Sequence, residues 1–277
     1  MSDRDDRRII DAQEVPGEGV HVDPFPAGQA PEPPPQDEGN IRINRKPPLV
    51  TKGLLAVIAA VFVVQCIVGF MYWDWVPDMP DKWQAIDEWA TAPFVLVYMG
   101  AKNSALIAQL HQYWRLLCCV FLHGGLWHML MNGFGLYMWG RQIETLFGRA
   151  KTLLIFLIAG LGGSLLSYAC SPNWSVGASG ALFGFLGALL YFRKRNPILF
   201  KRVFGPQVVL IIVINAAYGF MNAGIDNYGH LGGLAAGYLA AWALGLYQEK
   251  RRSAMAFALL AVFTTVCLVV GQLRFGA

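Results

Sequence analysis

Seven long apolar runs constrain this chain more than any other feature: roughly residues 53–72, 116–139, 151–170, 177–192, 207–224, 229–247 and 254–272. A helix needs about 20 apolar residues to cross a hydrocarbon core, and it must satisfy its own backbone polar groups while doing so. The runs therefore predict an all-α polytopic membrane protein. With 55% hydrophobic and only 14% charged residues, the chain is too apolar for an ordinary soluble domain.

The basic residues predict orientation. Arg42, Arg45, Lys46 and Lys52 precede the first run, and Arg141, Arg149 and Lys151 follow the second. Arg193, Lys194, Arg195, Lys201 and Arg202 follow the fourth, and Lys250, Arg251 and Arg252 the sixth. The alternate connections carry only Lys82 and Lys102, beside Asp74, Asp78, Asp81, Asp87 and Glu88. Positive-inside then places the N-terminus in the cytoplasm and the C-terminus outside. This asymmetry, and no nucleic-acid partner, accounts for the net charge of +4.

Three regions are expected. Residues 1–50 are charged and proline-rich (Pro31, Pro33, Pro34, Pro35) and read as a disordered cytoplasmic tail. Residues 51–247 form a six-helix core, and 248–277 a connection and a seventh span. The first apolar run reads as a signal anchor and not as a cleavable signal peptide. Cys66, Cys118, Cys119, Cys170 and Cys267 lie in or beside the runs and offer neither a disulfide framework nor a CxxC metal site. The connection 73–113 holds Trp73, Trp75, Trp83 and Trp89, an interfacial signature, and ends at Tyr113-Trp114-Arg115, which reads as an anchor with a snorkelling arginine.

Polar residues inside apolar runs are costly and face a bundle interior or a wet cavity. The fourth run opens on Gly177-Ala178-Ser179-Gly180-Ala181-Leu182-Phe183-Gly184 and is short. Its sixteen residues, at about 1.5 Å each, fall short of a core of about 30 Å, so its start is expected at the bottom of an outer depression. The first-turn amides there lack intrahelical partners and the dipole favours negative charge. In the second run, His128 and Asn132 are four apart and share a helix face, while His123 lies on another face nearer the surface. Glu144, within Gly140…Gly148, reads as a loop support or helix cap. The sixth run has His230 near its start, followed by the close-packing pair Gly233 and Gly237. Gly160, Gly162, Gly163, Ser164 and Ser167 place the third run at the bundle centre. The fifth, with Asn215 and Asn222, reads as a looser wall, and the seventh as featureless and peripheral.

Taken singly, Ser179 also reads as a helix-packing residue, and His128 and Asn132 as interhelical hydrogen-bond glue. The joint pattern says more. The second, fourth and sixth runs all enter from the outer face, so Ser179, His230, His128 and Asn132 are expected at similar depth. A serine beside an imidazole is an activated nucleophile. His128, Asn132 and the Ser179 amide would then be donors to a developing oxyanion.

On these residues the chain resembles the rhomboid intramembrane serine proteases over roughly residues 51–247. The resemblance implies a six-helix bundle plus one C-terminal transmembrane helix, with Ser179 as nucleophile and His230 as general base. It further implies His128, Asn132 and the Ser179 amide as oxyanion hole, and Phe183 packed on the base. Gly177, Gly180, Gly233, Gly237, Trp114, Arg115, Glu144 and His123 match supporting positions. Gly229 stands where many members have alanine, and Leu146 where an arginine often follows the glutamate. No cofactor or metal is expected, and the expected partners are transmembrane protein substrates and membrane lipid. The implied location is a bacterial inner membrane, with the fifth helix or the loop before the sixth as gate. HExxH is absent, Asp226 lacks a second membrane aspartate, and Ala181 breaks G-x-S-x-G. The rival reading is a binding pseudoprotease or a transporter. Transporters more typically show internal repeats and broken helices in corresponding halves, neither of which the sequence suggests.

Overall fold

In the computed structural model, residues 43–75, 88–222, 224–249 and 253–276 are described. The expected tail up to residue 42, Trp83 and the run Lys250–Arg252 lie outside them. Helices make up all the regular structure among the described residues, apart from one antiparallel bridge between Lys102 and Ser175. In order they are α1 (Leu49–Tyr72), α2 (Pro93–Met99), α3 (Ser104–Leu110), α4 (Arg115–Cys118), α5 (Leu126–Phe147) and α6 (Arg149–Cys170). Then follow α7 (Ser179–Arg195), α8 (Pro197–Val203), α9 (Gln207–Met221), α10 (Asn227–Leu244) and α11 (Ala254–Phe275). The chain is an integral, multi-pass, all-helical membrane protein.

By length and composition, α6, α11 and α1 with its terminal 3₁₀ turn can each cross a membrane, and α8 with α9 form a bent pair at 72°. The bend falls where Gly205 adopts φ +55° and Pro206 supplies no N–H. α5, α7 and α10 fall outside that length-and-composition test. They carry many of the polar residues and glycines; α7 is largely covered by its neighbours, whereas α5 leaves one face exposed through Trp127, Met131 and Phe134.

The centre is α7. Ala181, Phe183, Gly184, Phe185, Leu186 and Gly187 are all buried, as are Ala188, Leu189, Tyr191 and Phe192. Its most extensive partner is α10, and α6 closes against both. Glycine makes this possible. A Cβ on Gly233 would overlap the Gly180 carbonyl, and one on Gly237 the Gly184 backbone. Backbone thus meets backbone, gaining dispersion contacts that side chains would prevent. α6 joins them through Gly163, where a Cβ would come within 2.6 Å of the Gly229 carbonyl oxygen.

Four expectations change. The second run is not one helix: α4 ends at Cys118, and α5 starts only at Leu126, after Gly125 at φ +128°. Apolar letters continue through this Gly124-Gly125 break, which hides it from a hydropathy reading. Trp73 is buried against Ala92 and Val95 and is not interfacial, whereas Trp75 is exposed. The connection after α1 also holds two short helices, α2 opening on Pro93 and α3 capped by the Asn103 side chain. Finally, α11 is not featureless. Its Gln272 donates to the Ala108 carbonyl (3.1 Å) and accepts from the Tyr113 hydroxyl (3.1 Å), tying the last helix to the outer connection. The fifth run behaves as expected: only Val208 and Gly219 of α9 are buried.

Candidate active site

Ser179 is the first residue of α7, a position set by the residues before it. Gly177 takes φ +123°, and its N–H donates to the Cys119 carbonyl at 2.9 Å. A side chain there would strain the backbone and strike the His128 ring, since a Cβ would lie 2.8 Å from Cε1 and 2.9 Å from Nε2. The same Cβ would lie 3.8 Å from Asn132 Nδ2. Gly177 is therefore what lets His128 and Asn132 lie against the backbone leading into Ser179.

His230 enters from α10. Asp226 caps that helix, its Oδ1 accepting from Gly229 N (2.8 Å) and its carbonyl from His230 N (3.0 Å). His230 Nε2 then lies 2.9 Å from Ser179 Oγ. Phe183, one turn after Ser179, stacks on the imidazole with centroids 4.2 Å apart and planes 9° from parallel. Nδ1 of His230 has no hydrogen-bond partner among the described residues, and neither has Oδ2 of Asp226. The pair is thus a serine–histidine contact in which the nearby carboxylate serves the helix end.

His128 Nδ1 accepts from Gly124 N at 3.3 Å. In the neutral ring this leaves Nε2 as the protonated nitrogen, a donor facing the Gly177 side. Asn132 Nδ2 donates to the His128 carbonyl at 3.0 Å and keeps a second N–H. Ser179, His230, His128, Asn132 and Phe183 all line one cavity of about 890 Å³, which continues past Trp127 and Tyr218 toward α9. No group of three or more metal-ligating side chains is found among the described residues.

His123 departs from its expected place. It precedes α5, is fully buried, and sets its ring edge-on to His128 at 5.3 Å. Its backbone is held by Gln65 of α1, which accepts from His123 N (3.0 Å) and donates to the carbonyls of His123 (3.0 Å) and Ala90 (2.8 Å). Sequence reasoning missed Gln65. Its signal was available: one buried amide in an otherwise apolar span.

A family profile described as the Rhomboid domain matches residues 110–247. Rhomboid protease GluP of Bacillus subtilis is 44% identical over 181 residues, 65% of this chain and 35% of that protein. The chain belongs to the rhomboid family. RHOMBOID-like protein 2 of Arabidopsis thaliana is 38% identical over 189 residues, covering 62% of this chain and 59% of the relative. Putative rhomboid protease YdcA of Bacillus subtilis is 28% identical over 142 residues, 50% of this chain and 71% of the relative. The alignment with GluP thus spans about a third of that relative's length.

Within the rhomboid domain, Glu144 is a structural anchor. Only 1% exposed, it accepts from Thr51 N and Thr51 Oγ1, both at 2.9 Å, and from Val50 N at 3.2 Å. These amides open α1, which has no other side-chain cap. Arg149 sits 3.6 Å from the same carboxylate, an ionic contact from outside the position where Leu146 stands. Arg115 is not a snorkelling residue. It is 4% exposed and donates to Gln112 Oε1 (2.6 Å) and to the carbonyls of Val97 (2.7 Å) and Ala101 (3.2 Å), its guanidinium stacked 4.7 Å over Trp114. Glu144 thus holds the start of α1 and Arg115 the end of α2, and neither lines the cavity.

Just before the domain, Lys102 is wholly buried. Its Nζ donates to the carbonyls of Ser171 (2.7 Å) and Asn173 (2.9 Å), and its backbone bridges Ser175. This clamps the segment that feeds Gly177 and Ser179. Burial pushes the ammonium down to about 8, partly offset by the Asp226 carboxylate. An amine depressed in the fold but ordinary in the unfolded chain makes protonation unfavourable to folding. Lys102 therefore adds stability as pH rises from about 8 towards 10.5, and withholds it below about 8. We expect unfolding in mixed micelles to show that upward slope in the wild type and a flatter one in Lys102→Met. Parallel pH curves for the two would refute this.

Proposed function

We propose that this rhomboid is an intramembrane serine endopeptidase, cleaving peptide bonds in or near transmembrane segments of membrane proteins through an acyl-enzyme. The observation that carries the reading is the 2.9 Å approach of His230 Nε2 to Ser179 Oγ, with Phe183 stacked on the imidazole. Ser179 Oγ attacks the substrate carbonyl carbon, and its proton passes to His230 Nε2. The oxyanion that forms lies within reach of the Ser179 amide, Asn132 Nδ2 and His128 Nε2. As the C–N bond breaks, His230 returns the proton to the leaving nitrogen. Water then repeats the sequence on the ester, releasing the acid and restoring Ser179.

Residues 51–247 carry this activity in our reading, with 1–50 as a cytoplasmic tail and 248–277 as an appended connection and helix. The basic connections support a cytoplasmic N-terminus and an outer C-terminus. The bacterial relatives support a bacterial inner membrane. Substrate approaches laterally beside α9, whose burial is limited to Val208 and Gly219.

A fluorophosphonate probe tests the nucleophile directly. The purified chain should gain one phosphonyl adduct on the peptide containing Ser179, and Ser179→Ala should gain none. Labelling elsewhere, or none on a folded wild type, would move the reading to a binding pseudoprotease or transporter. For the oxyanion donors, we expect Asn132→Ala to lower turnover by about 100- to 1000-fold, softened by the remaining donors, with KM little changed. His128→Ala should act in the same direction. Unchanged turnover in both variants would remove them from the chemistry.

A further inference from the structure

A second cavity, of about 430 Å³, lies at the opposite end of α7 from Ser179. It is formed where the C-terminal ends of α7 and α10 meet the start of α11, and it opens where the basic residues of the bundle collect. Tyr191, Lys194 and Arg195 line it from α7, Tyr238 and Trp242 from α10, and Glu249 from the turn that follows.

Its charges do not cancel. Glu249 is fully engaged: Oε1 takes Arg195 Nη2 at 2.7 Å, and Oε2 takes the Leu246 amide at 2.7 Å. That leaves Lys194, which has no hydrogen bond or ion pair among the described residues and lines the same cavity. The uncharged lining also suits an anion at a membrane surface. Tyr191 and Tyr238 meet edge to face at 6.0 Å, and Trp242 adds an indole N–H. Amphipathic rings of this kind settle at headgroup depth. Ala254 and Met255 line the remaining side from the first turn of α11, where backbone N–H groups lack intrahelical partners. Basic crevices between transmembrane helices at this level accept phosphorylated headgroups.

We propose that this crevice is a binding site for a phosphate-bearing anion, with the headgroup of an anionic phospholipid as its source. Lys194 supplies the charge, and Trp242 and Tyr238 supply the aromatic rim. The site is remote from Ser179 and stands independently of the catalytic reading.

The test uses the full chain in nanodiscs containing phosphatidylglycerol and phosphatidylcholine, with retained lipid counted by native mass spectrometry. Lys194→Ala is compared with Lys201→Ala, which removes the same charge from an exposed position in α8 outside the cavity. We expect the wild type to retain phosphatidylglycerol in preference to phosphatidylcholine. Lys194→Ala should weaken retention by about ten-fold, the factor that one lost hydrogen bond between charged partners is worth. Lys201→Ala should retain lipid as the wild type does. A third arm adds inorganic phosphate. Displacement of the lipid by millimolar phosphate supports the same site with a soluble source, and resistance to it supports the lipid. Equal losses in the two lysine variants would reduce the effect to general surface charge and overturn the proposal. So would retention with no preference between the two lipids.

Discussion

If Ser179 is the nucleophile we propose, Ser179→Ala should lower cleavage of a single-span substrate in liposomes by about six orders of magnitude, the scale on which removing a serine nucleophile acts in soluble serine proteases. In practice the activity falls below detection. The reason is covalent: alanine has no oxygen to form the acyl-enzyme, and His230 has nothing to deprotonate. His230→Ala should fall by a similar factor, because an un-ionised hydroxyl is a weak nucleophile. The double variant should be little worse than either single one, since the two side chains act as one unit. The lipid environment should be otherwise undisturbed, because alanine removes one hydroxyl without disturbing the glycine contacts behind it. Cleavage surviving Ser179→Ala at more than one part in a thousand would place the nucleophile elsewhere. Cleavage abolished by a chelator in the wild type would point to a different chemistry altogether.

The second large effect is mechanical. Gly237→Leu should cost turnover by at least about 100-fold and destabilise the bundle. A Cβ at that position overlaps the Gly184 backbone, and backbone cannot swing aside as a flexible side-chain tip can. Ordinary overpacking costs about 1–3 kcal/mol, and here a whole side chain must enter a contact with no room for a methyl group. α7 and α10 must therefore separate. They carry Ser179 and His230 respectively, so separation lengthens a 2.9 Å contact. A misplacement of about 1 Å in a reacting pair is worth about 100-fold in rate. Gly237→Ala should show a milder form of the same loss. The two readouts to compare are turnover and resistance to unfolding in detergent. Wild-type values of both in Gly237→Leu would mean that the helices do not meet as closely as described.

The sequence reveals some parts of this architecture more readily than others, for physical reasons. Helical spans were legible because hydrocarbon forbids almost every alternative. Ser179 and His230 were legible together because alternating topology puts the starts of their spans at one depth. Phe183 came from the rhomboid resemblance, with which its spacing of one helical turn from Ser179 agrees. The start of α5 was missed because the apolar residues on either side of Gly124-Gly125 were read as one run, although a glycine pair is itself a turn signal. Arg115 was misjudged for a related reason. A basic residue at a span end ordinarily reaches for water, and only the folded connection reveals the carbonyls of Val97 and Ala101 that replace it. Lys102 gave no signal at all, since its partners on Ser171 and Asn173 are backbone atoms, which sequence does not display. His123 was placed by extending a helix that does not reach it.

The two polar attachments of α1 have a consequence for vertical position. Matching an apolar span to the lipid thickness costs only fractions of a kcal/mol per Å of mismatch, so it sets a helix's height coarsely. α1 is held at two levels: at Thr51 by the Glu144 carboxylate, and at Gln65 by the carbonyls of Ala90 and His123. The two lie fourteen residues apart, about 21 Å along the axis. A slip of a single residue, about 1.5 Å, breaks both sets of bonds at once. α1 thus works as a depth gauge, referring the segment before His128 to a carboxylate at the far end of the helix. In this chain the level of the segment around His123 and His128 is measured by the protein's own polar bonds as well as by the thickness of the lipid around it.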